Sequence, residues 1–265
     1  MPKVTALTSV YNSQKYIDGF LTNVRKQKFD NFQVNLEINE PSSTELNKIN
    51  IHKNKYKEGD LINLSISEKL QPMSASWNNC INNSDSEYIC IWNVDDQRTK
   101  NSLKYMSDTL DAKKDIDIVY GHYYKVNKFK KKRGKLQDMS GKEDLLRIGM
   151  IIGPFFMFRR SIHTKAGLFD EQLYSGADYD FAMRILSFGK AHYIHKNLGY
   201  FLDEGLGAST RPNSKQEIER TVVELRYGIR VINKNLIISA NKQYDINSLS
   251  FNNKKHNVKD YFSND

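Results

Sequence analysis

Asp95 and Asp96 stand side by side just past an apolar run, Tyr88-Ile89-Cys90-Ile91-Trp92, with only Asn93-Val94 between. Adjacent negative charges at the mouth of a buried strand are unfavourable unless a cation or hydrogen-bond donors compensate them. Mg²⁺ and Mn²⁺ take oxygen ligands and commonly sit between one or two carboxylates and a substrate's phosphates. The pair therefore points to a metal-bound diphosphate. The competing reading is an Asx-type turn, in which the carboxylates bond nearby backbone.

Such a pair needs a frame, and the flanking pattern supplies one. KVTALTSVY (3–11) is β-branched and apolar and reads as a strand ending near Tyr11-Asn12. SQKYIDGFLTNVRKQK follows, with Ile17, Phe20, Leu21 and Val24 at helical spacing and Ser13 as cap. FQVNLEIN (32–39) alternates as a second strand and breaks at EPSST, a turn into a helix starting near Ser43 or Thr44. DLINLSI is a third strand and SASWNNCINN a short helix. EYICIWNV is a fourth strand, too continuously apolar for a sheet edge. TKNSLKYMSDTLD is helical again. Strand and helix in alternation predict an α/β fold: an open, mostly parallel twisted sheet with helices on both faces. Ligands of such sheets bind outside the strands' carboxyl ends. Tyr11, Glu40 and Asp95-Asp96 each fall there, so three separate stretches converge on one rim.

The second half is less regular. DIDIVYGHYYKV reads as a strand, GKEDLLRIGM as a short helix, and GPFFMFRRSIHTKAG as a strand running into a helix. ADYDFAMRILSFG is an amphipathic helix, and KAHYIHKNLGYFL returns as a strand. From Ser214 a Ser214/Glu217 capping box opens a C-terminal helical extension. Its stripe is Ile218, Val222, Leu225, Ile229, Ile232 and Leu236. That stripe buries on its own domain or forms a homodimer seam, and the first reading is favoured. Beyond about residue 240 the chain is polar and weakly patterned. The organisation expected is one domain over 1–205, with a first half to about 98 and a second half from about 99. A C-terminal helix and polar tail follow over 206–265.

The totals exclude some classes. In 265 residues, 39% are hydrophobic and 11% aromatic, enough for a substantial core. No run approaches the ~18 to 20 apolar residues of a membrane span. The N-terminus lacks a signal-peptide pattern. Cys80 and Cys90 sit in apolar contexts and read as reduced core residues, which fits a cytoplasmic protein. Net charge is +9, and residues 125–135, KVNKFKKKRGK, hold seven Lys/Arg and no acid. This segment suits phosphates, whether of the inner membrane face in a peripheral contact, of a lipid-linked acceptor or of nucleic acid. The bland alternative is a solvated loop or hairpin. Nucleic acid is not expected, because stacking platforms need interleaved aromatics and only Phe129 lies inside the cluster.

Taken in order, TSVYNSQKYI, NEPSST, SASWNNCI, NVDD, GPFFMFRRSIHTKAGLFDEQL and ADYDFAMRI resemble the motif series of the family-2 glycosyltransferases over about residues 3–205. The resemblance implies the GT-A fold and an inverting, metal-dependent transferase, its catalytic domain over 1–205 with a nucleotide-binding half to about 98 and an acceptor half from about 99. It would move a sugar from a UDP-, GDP- or dTDP-sugar to a saccharide or lipid-linked acceptor, as in surface polysaccharide or glycan assembly. It implies that Tyr11 lies against the nucleotide base with Ser9 and Asn12 beside it, and that Glu40 bonds the base edge. Asn78 and Asn93 would complete the donor pocket. Asp95 would reach the ribose or donor sugar and share the metal site, and Asp96 would bind Mn²⁺ or Mg²⁺. Asp178 would be the general base, with Asp180 as runner-up. Asp203 or Glu204 would supply a further metal contact.

The chemistry is consistent with that division. A leaving nucleoside diphosphate needs its growing charge neutralised. An attacking hydroxyl needs one well-placed carboxylate, and a single base opposite the leaving group gives inversion. Some positions depart from the family pattern: Glu40 for aspartate, Pro41 for glycine, Ala177 for glutamate. Asp180 also has a plain structural reading as an i, i+4 partner of Arg184. The alternatives from other classes are a basic-patch nucleic-acid or anionic-surface binder, and a GT-A domain that binds nucleotide sugar without transfer.

Overall fold

A computed structural model of the chain describes residues 1–56, 61–141, 150–207, 209–229 and 231–261. The short helix expected over 141–150 falls almost wholly outside the described residues. In chain order the first part runs β1 (Val4–Val10), α1 (Ile17–Arg25), β2 (Phe32–Asn39), α2 (Ser43–Tyr56), β3 (Ile62–Ser67), α3 (Met73–Asn82), β4 (Tyr88–Ile91), β5 (Gln97–Arg98) and α4 (Ser102–Ala112). The second part runs β6 (Ile118–Val126), β7 (Lys135–Gln137), β8 (Met157–Arg159), α5 (His163–Ala166), α6 (Ala177–Leu186) and β9 (Ala191–Leu202). It ends with α7 (Gln216–Arg226), α8 (Lys234–Gln243), β10 (Ser248–Phe251) and β11 (Lys254–Asn257).

Among the described residues nine strands form one sheet in the order β3-β2-β1-β4-β8-β6-β9-β5, with β7 on the edge of β6. The parallel character is concentrated where strand and helix alternate in sequence: β3, β2, β1 and β4 all run the same way. β8 is antiparallel to both β4 and β6, while β6 and β9 are parallel. The fold is thus α/β, a curled sheet covered by helices on both faces, as expected. Strand alternation divides the core. Ile89 and Ile91 face one cluster with Trp77, Phe158, Phe169 and Phe181. Tyr88, Cys90 and Trp92 face the other, with Phe20, Leu21 and Leu103. Both cysteines are free and buried.

β2 shows how the sheet is dressed. Its alternation suggests one solvated face, yet all eight residues are buried. The polar face lies under α3 and bonds to it. Asn35 Nδ2 donates to the Cys80 and Asn83 carbonyls at 2.8 and 2.9 Å, and Asn39 Nδ2 donates to Ser76 Oγ at 3.0 Å. Burying polar side chains this way is tolerable because each finds a partner.

The C-terminal region differs most from expectation. The single long helix is broken: α7 ends at Arg226, and Gly228 takes a left-handed φ of 67°. The Ser214/Glu217 box does not form, because the Ser214 hydroxyl donates to the Ser209 carbonyl and the helix begins two residues on. Val222 and Val223 are fully buried on the chain's own core, whereas Ile232 is 83% exposed. Residues past 240 are not a loose tail. Tyr244, Leu249, Phe251 and Val258 join the cluster that holds Phe169 and Phe181. Among the described residues no helix is long and apolar enough to cross a membrane.

Candidate active site

Strand lengths open the site. β1 pairs with β4 only as far as Leu7↔Ile91 but continues along β2 to Val10↔Ile38. Beyond those points the chains diverge, leaving a cleft of about 560 Å³ at the carboxyl ends. Ser9, Tyr11, Asn12, Asn39, Asn93 and Asp95 line it from the strand ends, and Tyr174, Ser175 and Asp178 line it from the loop before α6 and that helix's first turn. Asp95 and Asp178, far apart in sequence, therefore share one cavity.

The Tyr11–Ser13 turn is held by α2. Ser42 and Glu45 form a capping box, with the Ser42 N–H and Oγ donating to Glu45 Oε2 at 3.1 and 2.7 Å. The buried Glu45 also accepts the Ser13 N–H on Oε1 at 2.6 Å. Ser13 thus anchors the turn rather than capping α1, and Asn12 adopts a left-handed φ of 49°.

The adjacent carboxylates have different surroundings. Asp95 lines the cleft. Its pKa is raised by desolvation and by the charge of Glu204. Asp96 is 2% exposed and does not line the cleft. Its Oδ1 accepts the Leu202 N–H at 3.0 Å and its Oδ2 accepts Asn93 Nδ2 at 3.2 Å, tying β9 to the strand end. Desolvation and the neighbouring Asp95 charge push the Asp96 pKa well up.

Asp178 sits in the first turn of α6, and burial raises its pKa to about 6, Glu219 adding in the same direction. That value suits a general base: ionised at neutral pH, yet a better proton acceptor than a free carboxylate. The loop leading to it is held by Glu219 of α7, which is fully buried. Glu219 Oε2 accepts the backbone N–H groups of Tyr174, Ser175 and Gly176 at 2.9, 2.6 and 2.8 Å. Its Oε1 accepts the Tyr244 hydroxyl at 2.8 Å. Asp180 is fully buried and pairs with Arg184 at 2.8 Å and with Arg226 at 3.0 Å. Arg226 also pairs with Asp170 at 2.7 Å. The runner-up base is thus a structural ion-pair member.

Several expected residues lie elsewhere. Glu40 is exposed at a φ of 43° and does not line the cleft; Asn39, one residue earlier, does. Asn78 is fully buried and clamps the segment before α6. Its Oδ1 accepts the Phe169 N–H, and its Nδ2 donates to the Phe169 carbonyl and Glu171 Oε1, all at 2.9 Å. Asp203 pairs with Lys125 at 2.5 Å. Glu204 accepts from Lys15 Nζ at 2.5 Å, the Tyr16 hydroxyl at 3.1 Å and the Phe129 N–H at 3.2 Å. The bond from Lys15 is the main reason the Glu204 pKa is lowered. Neither Asp203 nor Glu204 lines the cleft. Residues missed in the sequence include Asn39, Lys15 and Arg211, which line it, and Glu45 and Glu219, which hold its walls. The S-x-x-E box at Ser42 was a usable signal for Glu45. The motif register, whose acidic pair falls on Asn39-Glu40, was one for Asn39.

The family model for glycosyl transferase family 2 matches residues 5–167, more than half of the chain. The chain belongs to glycosyl transferase family 2. No curated protein matches this glycosyltransferase by sequence. Solved structures do match its fold. Staphylococcus aureus TarS 1-349 in complex with UDP-GlcNAc has a TM-score of 0.70 at 17% identity, over 91% of this chain and 71% of that one. TarS 1-349 with UDP has a TM-score of 0.67 at 18% identity, over 91% and 70%. The mannosyltransferase PcManGT from Pyrobaculum calidifontis, in complex with GDP-Man and Mn²⁺, has a TM-score of 0.63 at 16% identity, over 90% and 69%.

The glycosyltransferase's donor set can be tested against a divalent metal. Among the described residues no group of three or more His, Cys, Asp or Glu side chains converges. Asp95 presents one desolvated carboxylate to the cleft. That fits a cation of the Mg²⁺ or Mn²⁺ type, which is commonly held by one carboxylate, water and the substrate's own phosphates.

Proposed function

We propose that this family-2 glycosyltransferase moves a sugar from a nucleoside-diphosphate donor to an acceptor hydroxyl with inversion, Asp178 acting as general base. The observation that carries the reading is that Asp95 and Asp178 line one cleft at the sheet's carboxyl edge. In the reaction, Asp178 takes the acceptor hydroxyl's proton while that oxygen bonds to the anomeric carbon. The bond to the diphosphate breaks on the opposite side. Lys15 and Arg211, both lining the cleft, stabilise the charge left on the diphosphate. A divalent cation, when bound, supplies Lewis-acid stabilisation of the same oxygens.

Two roles are reassigned within this proposal. Asp95 takes the metal-ligand role expected of Asp96, whose oxygens are both engaged by protein donors. Asn39 takes the base-edge role expected of Glu40, and Tyr11, Ser9, Asn12 and Asn93 complete the nucleotide side. The bound donors of the similar folds, UDP-GlcNAc and GDP-Man, support a uridine or guanosine diphosphate sugar. The acceptor is a saccharide, free or lipid-linked, in glycan assembly.

The test is Asp178→Asn assayed against a panel of nucleotide sugars with Mn²⁺ or Mg²⁺. Transfer should fall about 10³-fold, with donor binding by thermal shift retained. Unchanged turnover would remove Asp178 from the chemistry, and a domain that only binds nucleotide sugar would show binding with no transfer in either protein.

A further inference from the structure

A second cavity of about 410 Å³ lies away from the donor cleft. Tyr200 lines it, while the next residue, Phe201, lines the cleft. Successive residues of a strand point to opposite faces, so β9 separates the two. Five lysines line this cavity and no acid does: Lys26 at the C-cap of α1, Lys100 after β5, and Lys130, Lys131 and Lys132 in the loop between β6 and β7. Outside the cavity some lysines pair with carboxylates, as in Lys3–Asp111, Lys48–Asp18 and Lys104–Asp108, and others among the described residues stand singly on the surface. Among the described residues Lys26, Lys100, Lys130 and Lys132 make no ion pair, and Lys131 bonds only the neutral Asn127 side chain at 3.1 Å. Arg98 also belongs to the lining residues and is 2% exposed. Its Nη2 donates to the Ile91 carbonyl at 2.6 Å, while its Nε and Nη1 are buried without a hydrogen-bond partner.

The lysine loop is docked rather than loose. Phe129 meets Tyr16 edge-on at 5.0 Å and donates its N–H to Glu204. A Cβ on Gly19 would come within 2.5 and 2.6 Å of Phe129 and Lys130 side-chain carbons, so the bare glycine lets the loop lie on α1. The cations are therefore gathered before any ligand arrives. Like charges held around one concavity repel, and a compact multivalent anion relieves that repulsion. Lysine serves as a point-charge partner for phosphate.

We propose that this cavity is a second anion site that binds phosphoryl groups, monoester or diphosphate, independently of the donor cleft. The proposal stands whether or not the cleft transfers sugar. The phosphoryl group is carried either by a soluble molecule or by a lipid headgroup, and two probes separate these sources.

The full chain, in chelator and at low salt, is titrated calorimetrically with pyrophosphate. In parallel it is sedimented with phosphatidylglycerol or phosphatidylcholine vesicles. The variant Lys130→Ala/Lys132→Ala empties two positions of the cavity. Lys128→Ala/Lys135→Ala removes the same charge from the same hairpin outside it. The cavity variant should lose about tenfold in affinity for the bound probe, the control less than about twofold, and rising salt should weaken the wild type. Nucleotide-sugar binding should be unchanged in both. Pyrophosphate binding with that selectivity assigns a soluble ligand. Binding to the anionic vesicles alone, with the same selectivity, assigns a headgroup. The proposal is overturned if neither probe binds, if the control loses as much as the cavity variant, or if Lys15→Ala in the cleft abolishes pyrophosphate binding.

Discussion

The two sides of the donor cleft are built by different means. On the strand-end side, β1, β2 and β4 stop at staggered points, and Ser9, Asn39, Asn93 and Asp95 near or beyond those ends form the rim. The side-chain anchor there is Glu45 in the first turn of α2, reaching back to Ser42 and across to Ser13, 32 residues earlier. On the Asp178 side, that residue follows a loop held by Glu219, and its helix is fixed by Arg226 between Asp170 and Asp180. Those bonds bridge segments more than forty residues apart. Strand register suffices to place backbone at a rim. Aiming one carboxylate at a helix start takes directed polar bonds, and burial strengthens them.

The sharpest break of this contrast is Asp178→Asn itself, because it should separate activity from stability. Turnover should drop about 10³-fold, and in the wild type kcat/KM should fall as pH drops below about 6, where the base takes up a proton. The folded pKa is raised above the unfolded value near 3.9. The folded state therefore holds this proton more tightly, and the contribution favours folding at low pH and is lost as pH rises from about 4 to 6. At pH 7 the ionised carboxylate opposes folding, so the asparagine variant should be more stable by something on the order of 1–2 kcal/mol in denaturant titration.

Arg226→Ala should then show what the Asp178 side depends on. It leaves Asp170 and Asp180 buried without their shared cation, and a loss of about 3–5 kcal/mol is expected by chemical denaturation. Glu219→Gln is gentler. Both side chains have an acceptor for the loop N–H groups, but the charge is gone. The expected outcome is about a tenfold lower kcat with donor KM unchanged, from weaker bonds to the loop. The acid limb of the pH profile should move to lower pH, since the Glu219 charge helps raise the Asp178 pKa. A purely structural role would leave that limb in place. Asp203→Asn should be the smallest effect. Its pair with Lys125 is partly exposed, so stability should change by less than about 1 kcal/mol and metal-dependent turnover by less than about twofold. A large activity loss there would restore Asp203 as a metal contact.

The parallel half was readable because period-2 and period-3.6 patterns follow directly from which face each element buries. Hence β1 to β4, α1 to α4 and the convergence of Tyr11 and Asp95 at one rim followed from residue types alone, while the two-residue β5 was too short to show. Position-level roles were less legible. Which of two adjacent carboxylates faces the cleft depends on one turn, and here Asp95 takes the cleft while Asp96 bonds Leu202. Glu40 and Asn39 exchange in the same way, since a left-handed φ turns Glu40 outward. Asn78 reads as a polar pocket residue, but its amide is fully used by Phe169 and Glu171. Glu219 was invisible because it sits on a helix whose apolar stripe says nothing of a carboxylate facing inward. The short β10–β11 hairpin has two inward residues, Leu249 and Phe251, too few for a periodic signal.

The Glu219 bonds also set an order of assembly. A nascent chain that has reached α4 already carries β1, β2 and β4, whose ends frame the Tyr11 and Asp95 side of the cleft. The loop before Asp178 has its three N–H groups unclaimed until α7 leaves the ribosome. The residues on one side of the cleft are thus made well before the helix that steadies the loop ahead of Asp178, and that loop gains its three bonds to Glu219 only when the C-terminal extension is present.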